Sequence, residues 1–189
     1  MIITTLLGYL ILAGFTFVEG RIRKGQEAKS YKPGEFDQRT TRFLGLAYSI
    51  SVILLLASWL LNYFKIGVLP AWIGWAGIMV AIMGLLLRVW SNQVLGFYYT
   101  RTLKVIKDQT VVREGPYRLI RHPGYLGMIL VWSGIAAATA NWIVLLIVFV
   151  ETVSAYYYRI ENEEGMLLSL HKDYSEYQSH TWRLIPFIY

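Results

Sequence analysis

The chain has 189 residues, 56% of them hydrophobic, with a mean hydropathy of +0.43; that composition lies far above the soluble range and excludes a soluble globular enzyme. The net charge of +6 would suit nucleic acid in a soluble protein. Here the bases gather between apolar runs, where they mark topology and contacts with membrane lipids, so no nucleic-acid partner is expected.

A bilayer core takes roughly 20 apolar residues per helix, and about five such runs fit into this length, leaving little for a soluble domain. The expected fold is therefore an all-α integral membrane protein, a single membrane domain over 1–189. Three helices fall within 1–97, and 98–189 supplies a helical hairpin whose loop and tail form a cytoplasmic site. The first run, Ile2 to Val18, lacks a basic leader and a small-residue cleavage site, so it reads as a retained helix. A polar connection follows to Arg42, broken by Gly25, Pro33 and Gly34 and carrying seven Lys and Arg. The second run, Phe43 to Phe64, closes at Asn62 and Lys65, and Gly67 and Pro70 supply a turn. In the third, Ala71 to Trp90, the spacing of Gly74, Gly77 and Gly84 lets neighbouring helices approach closely. Arg88 lies near its end, where the stem can snorkel to the headgroups.

Residues 91–120 are too mixed to span a membrane. Thr110, Val111 and Val112 are β-branched and suit an extended run, and Glu114-Gly115-Pro116-Tyr117 reads as a turn. A structured loop of this length is uncommon without a function. Pro123 suits the first position of a helix, since its missing N–H would have been unpaired there. A fourth run thus goes from Pro123 to about Ala140, Asn141 marks a tight turn, and a fifth goes from Trp142 to about Tyr158. With the basic connections inside, the amino terminus falls outside and the carboxyl tail inside, and of the eighteen Lys and Arg only Lys65 is left outside. Glu151 sits well inside the fifth run, where a carboxylate must be protonated, paired or solvated.

The tail continues the fifth helix. Arg159 and Glu163 are four residues apart and Tyr156 lies on the same stripe, so all three can point into one site. Met166, Leu167, Leu170, Tyr174 and Tyr177 recur at helical spacing and form an apolar face on the membrane surface or over the loop. Arg183 to Tyr189 is apolar enough to fold back as a cap.

The polar chemistry converges on Gly115 to Gly127, GPYRLIRHPGYLG. If each arm of the hairpin has about 18 residues, both ends lie roughly 27 Å from Asn141, and the His122-Pro123 helix start meets the Arg159 and Glu163 face. Free N–H groups there, beside Arg121 and His122, attract an anion. Glu163 can take an ammonium, and Tyr117 or Tyr125 can lie against a flat ring. S-adenosylmethionine has all three groups, while dinucleotides and phospholipid headgroups have them in part. Simple membrane anchoring is the plain alternative. The chain has no cysteine, and His122, His171 and His180 fit no compact metal motif, so neither thiolate chemistry nor a metal is expected.

The RHPGYLG stretch at Arg121 to Gly127, the Glu163-Glu164 pair with Leu167, and the closing Tyr174, Tyr177 and Arg183-Leu-Ile-Pro186 resemble the isoprenylcysteine carboxyl methyltransferase family, over roughly Thr102 to Tyr189. The resemblance implies an S-adenosylmethionine-dependent carboxyl O-methyltransferase acting on a prenylated or other lipid-attached carboxylate. Carried over by motif, Gln109, Thr110, Val111, Val112, Tyr117, His122, Pro123, Gly124, Tyr125 and Glu163 line the cofactor, and Arg159 faces the substrate as the catalytic residue. Gln109 stands where eukaryotic members have histidine, and Thr102 where they have glutamine. The first half lacks the additional spans of the mammalian enzymes, which suggests a small prokaryotic relative. Displacement by an ionised carboxylate on an activated methyl needs positioning and dehydration, with no added nucleophile.

Three other readings stay open. A phospholipid or small-molecule methyltransferase shares the cofactor but not the acceptor. An NADPH-dependent membrane sterol-type reductase shares RHPxYxG, and the Glu163-Glu164 pair stands against it. A nonenzymatic membrane or assembly protein would use the same motifs structurally. The sequence leaves the natural acceptor, the prenyl length and the oligomeric state open.

Overall fold

A computed structural model describes residues 2–22, 37, 39–98, 102–103 and 110–189. Among the described residues six α-helices run in chain order: α1 Ile2–Ile22, α2 Thr40–Tyr63, α3 Ala71–Leu95, α4 Pro123–Ala138, α5 Trp142–Leu170 and α6 Tyr174–Ser179, with 3-10 turns at Gly96–Tyr98 and Gly115–Arg118. Among the described residues there is no strand, and the β-type pairing comprises two isolated bridges, Val68 with Asn141 and Ile120 with Trp182. Helices α1, α2, α3 and α5 are long and apolar enough to cross a bilayer. Large side chains on their outer faces, such as Leu56, Leu60, Leu86 and Phe149, are exposed, as helices surrounded by lipid tails require. The all-helical membrane fold expected from composition is the fold observed.

The short helix α4 is the centre of the bundle. Its 16 residues reach about 24 Å, less than a bilayer core, and most of them are buried against α1, α3 and α5. Lipid tails are as apolar as leucine, so burial of apolar area drives little association here and close dispersion contact must do it. Glycines provide that contact. A Cβ built on Gly134 would fall 2.4 Å from the Ala81 nitrogen, and one on Gly84 would fall 2.7 Å from the Gly127 carbonyl. The α3 and α4 backbones therefore touch, which is the role expected for Gly77 and Gly84. Gly74 serves the α1 contact, where a Cβ would meet Thr4 Oγ1 at 2.6 Å.

The turn of the α4–α5 hairpin is tied down by Asn141, which is fully buried. Its Oδ1 caps α5 by accepting from the Ile143 and Val144 backbone at 3.1 and 3.2 Å. Its Nδ2 donates to Asn62 Oδ1 at 2.9 Å and to the Ile66 carbonyl at 2.8 Å. The hairpin is thus locked to the α2–α3 connection. Gly67 takes φ +75° there, and a Cβ on it would meet Ile143 at 2.9 Å. At the other end, α5 runs for 29 residues, about 43 Å, longer than a bilayer core of ~30 Å. Its last turns project past the bundle, as expected for the tail.

Two readings change. Helix α3 continues five residues beyond Trp90 to Leu95, so Arg88 lies inside the bundle and does not snorkel. It is 7% exposed, and its Nε donates to Glu19 Oε1 at 2.8 Å while Asn92 donates to the same oxygen at 3.3 Å. The reason is a counter-ion the sequence reading placed in a loop: α1 extends to Ile22 and carries Glu19 into the core, where the pair offsets the cost of burying both charges. Leu170 also departs from its stripe, since it is 41% exposed while Met166, Tyr174 and Tyr177 are buried; α5 ends at Leu170 and the chain turns at His171 before α6. Glu151 accepts a hydrogen bond from the Ser51 hydroxyl of α2, one means of satisfying a carboxyl at that depth.

Candidate functional site

The Gly115–Gly127 stretch is held from behind by the tail. Gly115 takes φ +54°, and a Cβ there would meet Val94 at 2.9 Å, so the entry to the 3-10 turn needs glycine. The backbone of 119–122 pairs with that of 182–183: Arg121 N donates to the Trp182 carbonyl at 2.7 Å, His122 N to Arg183 at 3.1 Å, and Trp182 N to Leu119 at 3.1 Å. The Tyr177 hydroxyl donates to the Tyr117 carbonyl at 2.6 Å. Burial pushes that phenol up to about 12, which keeps it a donor. The closing segment is therefore a cap, and what it caps is the backbone of the motif.

Below this cap Glu164 gathers four donors. It is 2% exposed and accepts from Arg121 Nε at 2.8 Å, Gln178 Nε2 at 3.2 Å and Arg183 Nε at 3.0 Å. His122 Nε2 lies 3.1 Å away. One carboxylate thus fastens the helix start, the end of α5, α6 and the tail together. The imidazole that it meets at Nε2 lies parallel to Tyr125, at 5.4 Å between ring centroids and 3° between planes.

Glu163 faces elsewhere. Neighbouring residues on a helix point about 100° apart, so the two glutamates diverge. The Glu163 side chain is 24% exposed and accepts from the Tyr125 hydroxyl, which in turn accepts from Arg159 Nε at 3.0 Å. Tyr125 also packs on Tyr156 with centroids 4.9 Å apart. Arg159, Tyr125 and Glu163 thereby form a continuous polar row. The other end of the Arg159 guanidinium is engaged too: Nη1 donates to Thr40 Oγ1 at 3.2 Å and lies 3.8 Å from Asp37 Oδ1.

This row forms part of the wall of a cavity. Of the residues singled out by sequence, Thr110, Val111, Val112, Tyr117, His122, Gly124, Tyr125, Arg159 and Glu163 all line it. Pro123 is buried at the first position of α4 and is not among the lining residues. Gln109 lies outside the described residues. Thr102 is described and fully buried but does not line the cavity. The sequence reading missed Arg88, Asn92, Tyr98, Leu103 and His171 as lining residues, and it read Met166, Leu167, Tyr174 and Tyr177 as packing although they also form the wall. A signal existed for the first pair: Arg88 and Asn92 are four apart on an otherwise apolar helix, hence on one face, and polar groups at such depth usually face a cavity or a partner. His171 carried no comparable mark.

The chemistry of the wall is specific in kind. It offers one partly open carboxylate, the guanidiniums of Arg88, Arg121 and Arg159, two imidazoles and five phenol rings. A ligand with an ammonium, an anionic group and a flat ring matches it. A carboxylate approaching Arg159 would meet a cation whose orientation is set from both sides.

Residues 76–169 match the model of the isoprenylcysteine carboxyl methyltransferase (ICMT) family. The chain is 30% identical over 119 residues to a protein-S-isoprenylcysteine O-methyltransferase of Dictyostelium discoideum, covering 61% of this chain and 50% of that protein. It is 30% identical over 121 residues to protein-S-isoprenylcysteine O-methyltransferase B of Arabidopsis thaliana, covering 62% and 61%. It also superposes on the structure of the eukaryotic intramembrane Ras methyltransferase ICMT, with a TM-score of 0.66 and 26% identity, over 75% of this chain and 52% of that one. The chain thus spans about half the length of the Dictyostelium protein and of the solved enzyme.

Proposed function

We propose, proceeding from a chain whose residues 76–169 match the model of the isoprenylcysteine carboxyl methyltransferase family, that this protein is a membrane carboxyl O-methyltransferase. Its methyl donor is S-adenosylmethionine, and its acceptor is the carboxylate of a prenylated or otherwise lipid-attached molecule. The observation that carries the reading is the Arg159–Tyr125–Glu163 row along one cavity wall, with an anionic end partly open and a cationic end buried.

The residues fit both ligands by charge. Glu163 takes the ammonium of the donor, His122 and Tyr125 present parallel ring faces, and Thr110, Val111, Val112 and Tyr117 line the cavity with them. When bound, S-adenosylmethionine would supply a methyl group already activated on a sulfonium, whose transfer to a carboxylate oxygen would break the S–CH3 bond, leave S-adenosylhomocysteine and need no further nucleophile. The work left to the protein is alignment and removal of water. Arg159 does the aligning, because its guanidinium is buried to 3% exposure and its Nε is committed to Tyr125. The acceptor carboxylate loses its negative charge as the ester forms, so a grip that is too strong stabilises the starting state more than the transition state. A lipid chain reaches this point from between helices, and the water-soluble donor reaches it from the loop side. We place the whole chain as one membrane unit with its amino terminus outside and the site and carboxyl tail at the cytoplasmic face, supported by the Lys and Arg clustered in the polar connections of the sequence.

The test is calorimetry on the full chain in detergent. S-adenosylmethionine binds and NADPH does not, and Glu163→Ala weakens the donor by about tenfold, the size of one charge-assisted contact. Binding of NADPH without S-adenosylmethionine overturns the reading in favour of a reductase. Donor binding with methyl transfer to an amine lipid, and none to a carboxylate, moves the acceptor to the phospholipid class.

A further inference from the structure

The row that ends at Arg159 does not stop with the family-matched segment. Residue 37 lies before the first residue of the match, at the entry to α2, yet its carboxylate is 2% exposed and lies 3.8 Å from Arg159. A carboxylate buried to that degree is costly unless it is hydrogen-bonded and paired. Asp37 Oδ1 accepts from Thr40 Oγ1 at 2.8 Å and from Thr41 Oγ1 at 2.7 Å. The same two hydroxyls accept from Arg159 Nη1 at 3.2 and 3.4 Å, and the carboxylate itself is 3.8 Å from that nitrogen. Each threonine thus relays one guanidinium N–H to one carboxylate oxygen. With Nε on Tyr125 and Nη1 on this relay, the guanidinium plane is fixed from both sides.

Asp37, 3.8 Å from Nη1, and Glu163, reached through Tyr125, both offset part of the Arg159 charge before any acceptor arrives. We infer that Asp37, relayed by Thr40 and Thr41, is a positioning residue that aims Arg159 at the acceptor carboxylate and weakens its hold, giving up acceptor affinity to preserve the nucleophilicity of the bound oxygen. This rests on the methyltransferase reading above. It assigns to Asp37 a part in the reaction that the sequence reading confined to the second half of the chain.

A merely structural role and this one predict opposite signs in one parameter. Removing the negative charge with Asp37→Asn leaves Arg159 more strongly cationic, so the acceptor binds more tightly while turnover falls. The experiment uses the full-length protein in detergent, S-adenosylmethionine, and an N-acylated farnesylcysteine as acceptor. For Asp37→Asn, KM for the acceptor and its calorimetric Kd, measured with S-adenosylhomocysteine present, both fall about threefold or more; kcat falls by about tenfold, and the donor Kd stays within about twofold. Thr40→Val reproduces the loss of turnover and Thr40→Ser restores it, which keeps the question answerable if Asp37→Asn does not fold. An acceptor Kd that rises or stays level in Asp37→Asn overturns the inference, as does a Thr40→Val protein with wild-type kcat. Both results leave the methyltransferase reading intact as long as the wild-type chain binds the donor and forms the ester. A wild-type chain that forms no ester removes both.

Discussion

Replacing Glu164 should destabilise the fold far more than replacing its neighbour Glu163, although both belong to the same motif. Glu164→Ala deletes a 2% exposed carboxylate that receives Arg121, Gln178 and Arg183 and pairs with His122. Removing one partner of a buried ion pair costs about 3–5 kcal/mol. The lower end applies, because Arg121 Nη1 keeps the Gln178 and Thr181 carbonyls and Arg183 keeps Glu161. For a chain of this length about 1 kcal/mol moves the melting point by 2–4 °C, so Glu164→Ala should melt about 6–12 °C below wild type. Glu163→Ala loses one hydrogen bond, from Tyr125, at a side chain that is 24% exposed, worth about 1 kcal/mol and so about 2–4 °C. Tryptophan fluorescence during a thermal ramp in detergent reads both. Equal shifts, or a larger one for Glu163→Ala, would refute the division of the pair into a fastening residue and a cavity residue.

Other perturbations test the scaffold that brings the row together. Gly134→Ala should cost about 1–3 kcal/mol by overpacking, since its Cβ would fall 2.4 Å from the Ala81 nitrogen; Gly14→Ala, with nothing within 4 Å of the added carbon, should stay within about 0.5 kcal/mol of wild type, both read as melting temperatures. Asn141→Ala removes the α5 cap and the ties to Asn62 and Ile66, a loss of about 2 kcal/mol, and proteolysis at the α4–α5 turn should become faster.

The spans were legible because membrane helices announce themselves by length and composition, and Asn141 was legible because a polar residue between two apolar runs has few places to go. Arg88 was misread for a local reason. Ser91 and Asn92 interrupt the apolar run and look like a helix end, but Ser91 donates back to the Leu87 carbonyl and Asn92 to Glu19, so the helix continues with its polar groups satisfied inside. Asp37 was out of reach for a different reason: it meets Arg159 across 122 positions of sequence, through the packing of α2 on α5, and no local pattern encodes that meeting. The motif drew attention to Glu163 and Glu164 together. Which of them faces the cavity depends on the rotation of α5, and that is set by the hairpin and the tail.

The most direct test of the account is transfer itself. Full-length protein in detergent or vesicles is incubated with methyl-labelled S-adenosylmethionine and a farnesylated cysteine analogue, and the product is treated with mild base. The account predicts label in the prenylcysteine that base releases as methanol, the mark of a carboxyl ester, and its loss in Arg159→Ala with donor binding retained. Label that resists base, or ester formation undiminished in Arg159→Ala, would contradict it.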